Sequence, residues 1–331
     1  MIAFGPVPSR RLGRSLGINN IPPKICTYSC VYCQLGRTLK MQAERQSFYA
    51  PEDILQDVRD KVEQAQLTGE VIDYLTFVPD GEPTLDLNLG RTVDLLRPLG
   101  IKIAIISNSS LIWREDVREA LLKMDWVSLK VDAAREDVWR RIDRPHGTLR
   151  LPAIQDGMLA FAAAYAGHLT TETMLIQGIN DDEAHLGEVA DFLARLQPTA
   201  AYLGIPTRPP AEAWVRPPSE DVVNSAYQIL NEKLRADHQG PAVEYLIGYE
   251  GNAFAFTGNV EQDLLSITAV HPMREDAVDE FLARAGADWE AVRRLLAHDQ
   301  LVETAYAGHR FYLRKLNPPG RKDTELLTNH T

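Results

Sequence analysis

Along most of the chain, short apolar runs alternate with amphipathic stretches, and this rhythm narrows the fold more than any other feature. The runs fall at 14–18, 72–78, 101–106, 126–131, 171–176 and 201–205, short and apolar in the manner of β-strands. Between them lie PEDILQDVRDKVEQAQ, LDLNLGRTVDLLRPL, REDVREALLKM, a two-helix stretch over 134–166, and DDEAHLGEVADFLARL. Each places apolar residues at helical spacing. Strands joined through helices pair in parallel, since the crossover has room to return to the same end of the sheet. Six strand–helix units therefore predict an α/β fold. In such folds ligands gather at the C-terminal ends of the strands, so motifs are best sought there.

All three cysteines of the 331 residues stand in one such place, CTYSCVYC at 26–33, just after the first run. Three thiols cannot all pair within one chain, and a reducing compartment leaves them free. They could pack as small apolar residues, but polar residues are interleaved between them. Thiolates this close repel one another unless a cation lies among them, which points to a metal. Structural zinc wants four protein ligands, usually as two separated pairs, so a remote histidine would have to complete such a site. An iron–sulfur cluster suits three thiolates better. They would hold three irons of a cubane and leave the fourth open.

Composition bears on compartment and partner. No apolar run is long enough to span a bilayer, and the opening MIAFGPVPSRRLGRSLG lacks the apolar core of a secretory signal. The cytoplasm is the expected location. A net charge of −11 disfavours a general nucleic-acid binder, which needs a concentrated basic surface.

C-x3-C-x2-C with an aromatic residue, Tyr32, before the third cysteine resembles the signature of the radical S-adenosylmethionine (SAM) enzymes. The resemblance implies a partial (β/α)6 barrel and a 4Fe-4S cluster on Cys26, Cys30 and Cys33, with an open iron chelated by SAM. It implies the chemistry as well. An electron from the cluster, delivered by a donor such as flavodoxin or ferredoxin, cleaves the sulfonium. The 5′-deoxyadenosyl radical so released abstracts hydrogen from a substrate. Tyr32 would pack near the adenine. DGEPT at 80–84 resembles the family's Gly-Gly-Glu segment, in which Gly81, Glu82 and Pro83 would receive the methionine ammonium. Physically, glycine permits close backbone approach and a carboxylate pairs with an ammonium, although the same residues make a good turn.

SNSS at 107–110 resembles the T-N-G segment of the molybdopterin-precursor cyclase, which puts Ser107 and Asn108 at the cofactor. In WVSLKVDA the period of two sets Ser128, Lys130 and Asp132 on one face. A lysine inside an apolar strand is costly unless it meets an anion. Lys130 resembles the lysine that glycyl-radical activating enzymes hold near the cofactor carboxylate; a pair with Asp132 is the structural alternative. IQGINDDEAH resembles the fifth-strand end of both relatives, where Asn180 would reach the ribose. Asn180, Asp181 or Asp182 would equally cap the next helix, and His185 reads as a surface residue.

Over 4–36 the chain is most similar to an iron–sulfur oxidoreductase branch related to the wyosine tRNA-modifying enzymes, a branch without one settled substrate. Those enzymes carry extra cysteines for a second cluster, and no cysteine remains here for one. Arg10, Arg11 and Arg14, RPHGTL at 144–149 and TRPP at 207–210 are the substrate-pocket candidates. The substrate expected is a peptide or protein, or a modified tRNA base.

The barrel is expected over 1–240, a connecting loop or hairpin over 241–260, a winged-helix-like α+β module over 261–316 and a disordered tail over 317–331. In the module Pro272 suits the first position of a helix and Gly286 its end. DWEAVRRLLAHDQL is a second helix, and two strands flank Ala307-Gly308. Over 261–315 ten acids face seven arginines and lysines, which makes DNA an unsuitable partner and favours docking on the barrel or on a peptide. A rival from another class is a non-enzymatic regulator, a metal-holding barrel that presents the winged helix to nucleic acid or protein. In it Glu82 and Lys130 would be dispensable.

Overall fold

The computed structural model describes residues 2–235, 240–247, 254–269 and 271–315. Two antiparallel strands open the chain, β1 (Ala3–Ser9) and β2 (Gly13–Ile18). A short parallel pair, β3 (Ile25–Cys26) and β4 (Lys40–Met41), then brackets the cysteine loop. Helices and strands alternate from there: α1 (Pro51–Leu67), β5 (Tyr74–Phe77), α2 (Leu89–Leu96), β6 (Lys102–Ser107), α3 (Glu115–Leu121) and β7 (Trp126–Lys130). The series continues through α4 (Glu136–Ile142), α5 (Leu151–Ala164), β8 (His168–Met174), α6 (Glu183–Leu196), β9 (Ala200–Gly204), α7 (Glu220–Leu234) and β10 (Ala242–Leu246).

These strands form one sheet in the order β1-β2-β5-β6-β7-β8-β9-β10. Every pair after β1–β2 is parallel. The six strands read from the sequence are all present. In β7 and β9 nearly every residue is buried, as continuous apolar runs must be in a parallel sheet covered on both faces. Caps fix the helix starts. Pro51 opens α1, and Asp182, rather than Asn180 or Asp181, caps α6 by accepting the His185 N–H at 2.9 Å.

Two expectations need correction. The stretch 241–260 is not only a connection, because Ala242–Leu246 adds β10 in parallel to β9. This strand lies at the sheet edge and exposes Glu244 and Tyr245. Charge on an edge strand discourages further pairing, and here it also breaks the apolar pattern by which strands are recognised. His185, expected at the surface, is fully buried with Nε2 at 3.5 Å from the Asp132 carbonyl.

Beyond the sheet the chain builds a second core. Its elements are α8 (Val260–Thr268), β11 (Met273–Arg274), α9 (Glu275–Ala285), α10 (Glu290–Ala297), β12 (Leu301–Tyr306) and β13 (His309–Arg314). The three strands make an antiparallel sheet in the order β11-β13-β12. Ala307 and Gly308 turn β12 into β13 with φ of 48° and 79°. Pro272 does not open a helix. Met273 and Arg274 pair with Tyr312 and Phe311, so the chain stays extended there and α9 begins at Glu275. Residues 317–331, expected to be disordered, lie outside the described residues.

Phe254, Leu264, Ile267, Val278, Phe281, Val292 and Leu295 fill this core, and Val7 of β1 packs against it. A buried ion pair joins the two parts: Lys61 of α1 lies 3.7 Å from Asp263 of α8 and donates to Thr257 Oγ1 at 3.2 Å. Lys61→Ala would leave the Asp263 carboxylate buried without its cation. The expected loss is about 3 kcal/mol in urea unfolding of the intact chain, and the double variant Lys61→Met/Asp263→Asn should lose less.

Candidate active site

A cavity of about 320 Å³ opens where the parallel strands end. The cysteine loop supplies one wall. The others come from Asp80–Glu82 after β5, Ser107 and Asn108 at the end of β6, Lys130 of β7, Glu172–Met174 of β8 and Gly204–Arg208 from the end of β9 onward. Arg10 and Arg11, from the β1–β2 turn, and Leu246 of β10 reach it as well.

Backbone contacts hold the cysteine loop from two sides. Ser29 and Val31 donate N–H bonds to the Asp143 and Ile142 carbonyls at the end of α4, at 3.0 and 2.9 Å, and His146 donates to Thr27. On the other side Glu82 N–H donates to the Ile25 carbonyl at 3.2 Å. A Cβ on Gly81 would lie 1.9 Å from that carbonyl oxygen, so only glycine permits the contact. Glu212, paired with Arg37 and Arg144, donates its N–H to Val31 at 3.1 Å and ties the segment after β9 to the same loop.

Cys26, Cys30 and Cys33 are free thiols and all three face the cavity. Burial pushes the Cys26 thiol up to about 12, helped by the Glu82 carboxylate and by Cys33. Cys30 is raised further by burial, then by Asp143, whose Oδ1 accepts its S–H at 3.3 Å. Cys33 is raised by burial and lowered by Lys24. Burial outweighs the nearby cations at all three sulfurs, so together they suit a multiply charged cation. Among the described residues no three His, Cys, Asp or Glu side chains gather as a single-ion site. The thiols stand instead around one roomy cavity, which fits a group larger than one ion.

Glu82 is buried in a cradle of donors. Oε1 accepts from Thr84 N–H at 3.1 Å, Thr84 Oγ1 at 2.6 Å and Ser107 Oγ at 2.8 Å, while Oε2 accepts from Asn108 N–H at 2.8 Å. Burial still holds its pKa above the usual range against these four bonds. Oε2 takes one bond and keeps acceptor capacity.

Lys130 does not pair with Asp132. Its Nζ lies 3.6 Å from Glu172 Oε2 and 5.2 Å from the centre of the Tyr32 ring. Glu172 also accepts from Ser128 Oγ at 2.8 Å and pairs with Arg11. Asp132 instead accepts from Tyr32 Oη and from Met174 N–H. Ser128 therefore acts behind Glu172 and does not line the cavity. Pro83, expected at the cofactor, does not line the cavity either and is buried in a short 3-10 turn, Pro83–Leu85. Asn180, expected at the ribose, also stands off the cavity: its amide donates to the Asp132 and Met174 carbonyls and accepts from Ile176 N–H. These three bonds clamp the ends of β7 and β8. Of the pocket candidates, Arg10, Arg11, Thr207 and Arg208 reach the cavity, whereas Arg14 pairs with Glu70 outside it.

Sequence reasoning missed Glu172 and Lys24. Glu172 carries the signal used for Lys130, a charge inside a strand of threonines and apolar residues. Lys24 stands alone in the apolar IPPKIC before the first thiol.

A family model described as the radical SAM superfamily matches residues 20–192. A UPF0026 protein of Methanocaldococcus jannaschii is 48% identical over 315 residues, 95% of this chain and 96% of that one. A UPF0026 protein of Synechocystis sp. is 35% identical over 208 residues, 62% of this chain and 76% of that one. Among solved structures, a radical SAM methyltransferase from Sphaerobacter thermophilus matches with a TM-score of 0.51 at 16% identity, over 70% of this chain and 66% of that one. Streptococcus suis SuiB bound to precursor peptide SuiA matches at 0.52 and 12%, over 70% and 49%. The chain thus spans about half to two thirds of these two structures. At such identity they show a shared mixed α/β fold with its parallel sheet.

Glu82→Gln tests the cradle without any ligand. The new amide nitrogen must face donors where an oxygen accepted, so the expected loss is about 1–3 kcal/mol in chemical denaturation of the metal-free protein.

Proposed function

The chain belongs to the radical SAM superfamily, and from that premise we propose that Cys26, Cys30 and Cys33 hold a 4Fe-4S cluster whose fourth iron is left to SAM. One observation carries the reading: three free thiols and a buried carboxylate with unused acceptor capacity meet in one cavity at the strand ends. When bound and reduced by one electron, cluster and SAM together supply a 5′-deoxyadenosyl radical that takes hydrogen from a substrate.

The chain's own residues bind and orient. Glu82 accepts the methionine ammonium, held in place by Ser107, Asn108 and Thr84. Gly81 lets the backbone come close. Lys130, fixed between Glu172 and the Tyr32 ring, meets the methionine carboxylate. Asn180 and Ser128 position the strand ends and Glu172, and touch no ligand. Arg10, Arg11 and Arg208 face the remaining space and contact the substrate.

The six strands β2, β5, β6, β7, β8 and β9 with their helices are the partial (β/α)6 barrel of this reading. In the same reading α8 to β13 are the winged-helix-like module. The end of its β12 docks on the barrel, where Tyr306 Oη donates to the Pro206 carbonyl at 3.1 Å. That contact supports a module in service of the cavity over one that reads nucleic acid. A peptide or protein, or a modified tRNA base, is the substrate class. A small electron carrier such as flavodoxin or ferredoxin supplies the electron, in the cytoplasm. Among the described residues no helix is long and apolar enough to cross a membrane.

Anaerobic reconstitution with iron and sulfide, reduction with dithionite and addition of SAM should yield 5′-deoxyadenosine. Cys30→Ala should yield none, and Glu82→Ala should weaken SAM binding at least tenfold by equilibrium dialysis. A fully formed cluster that neither binds nor cleaves SAM would overturn the reading.

A further inference from the structure

Lys24 takes a left-handed backbone conformation, φ 64°, disfavoured for any residue with a Cβ. The surroundings impose it. Lys24 N–H donates to the Asp80 carbonyl at 2.7 Å, and its own carbonyl accepts from Leu39 and Lys40 at 3.1 and 3.0 Å. The result is a side chain turned into the protein and only 10% exposed, lining the cavity beside Cys33. Its Nζ lies against the turn that follows that cysteine. A Cβ on Gly36 would be 3.9 Å from it, and Gly36 N–H donates to the Cys33 carbonyl at 3.0 Å.

This ammonium is poorly satisfied. Asp80 Oδ2 lies 3.3 Å away, yet neither atom makes a well-directed hydrogen bond. A buried cation with three donors and one misaligned carboxylate is costly, and it is relieved when negative charge enters the cavity. Lys24 Nζ reaches the turn that Gly36 N–H closes on the Cys33 carbonyl, so of the Lys24–Asp80 pair the cation stands on the Cys33 side.

We propose that Lys24 is a positioning residue for charge: its buried ammonium offsets the negative charge carried on the Cys33 side of the cluster and so raises the cluster's reduction potential. Reduction adds one negative charge to the group the thiols hold, and a fixed cation beside it favours the reduced form. The inference rests on the cluster assignment made above.

The test is a redox titration of the reconstituted full-length protein, followed by electron paramagnetic resonance, with iron and sulfide measured beside it. Lys24→Met should keep the iron content and shift the one-electron equilibrium about tenfold against reduction, ~59 mV lower. Lys24→Arg should stay near the wild type. Asp80→Asn, which removes the opposing charge and leaves the cation, should shift in the other direction. No shift in Lys24→Met, or shifts of one sign in Lys24→Met and Asp80→Asn, would overturn the proposal. Should Lys24→Met fail to take up iron, Asp80→Asn decides alone, and an unchanged or lowered potential there overturns it. A wild type that assembles no cluster would overturn the cluster assignment itself, and this proposal with it.

Discussion

The site depends on one close approach, that of the Asp80–Glu82 turn to the strand leading into the cysteine loop. The Ile25 carbonyl accepts the Glu82 N–H across a gap that admits no side chain at Gly81. The Lys24 N–H returns a bond to the Asp80 carbonyl one step away. This two-bond seam places the first thiol, the carboxylate cradle and the buried lysine within one patch of backbone. It also explains why two stretches some fifty residues apart in sequence act as one. From that patch the Cys26, Glu82 and Lys24 side chains all come to the cavity wall.

Charge is handled by segregation. The chain carries a net −11, yet Lys24, Lys130, Arg10, Arg11 and Arg208 all come to the cavity wall. Two of the carboxylates beside them, Asp80 and Glu172, are set against cations. Glu82 is set against neutral donors only. That difference in partners gives the three acids different surroundings. A carboxylate already facing a cation is matched, whereas one cradled by N–H and O–H groups has no cation beside it.

What could be read without coordinates follows from the range of each signal. Strand and helix periods are local, so the six parallel strands were legible, and so was a cysteine cluster confined to eight residues. Ser107, Asn108 and Lys130 were legible as residues, because strand ends are where such groups collect. Their partners were not. Lys130 lies on the same face as Asp132 in sequence, but the register of β7 on β8 sets it opposite Glu172, and pairing across strands is invisible to a period of two. Asn180 looked available because it stands just past a strand end, where the resemblance puts a ribose contact and where a helix cap would also fit. Only the fold reveals that two carbonyls and an N–H already occupy its amide. β10 escaped for the opposite reason, since an edge strand advertises its charges and hides its apolar side.

The segment after β9 touches both cores. Pro206 receives the Tyr306 hydroxyl, and Arg208 meets His271 Nε2 at 3.1 Å while donating to Gln34 Oε1 at 2.6 Å. One arginine thus joins the cysteine loop, the cavity rim and the C-terminal module. Among the described residues the lining of the cavity ends at Leu246, so the C-terminal elements act on it only by bracing Pro206 and Arg208 from outside. A change in those elements would reach the cavity as a shift of its rim, not as a new wall.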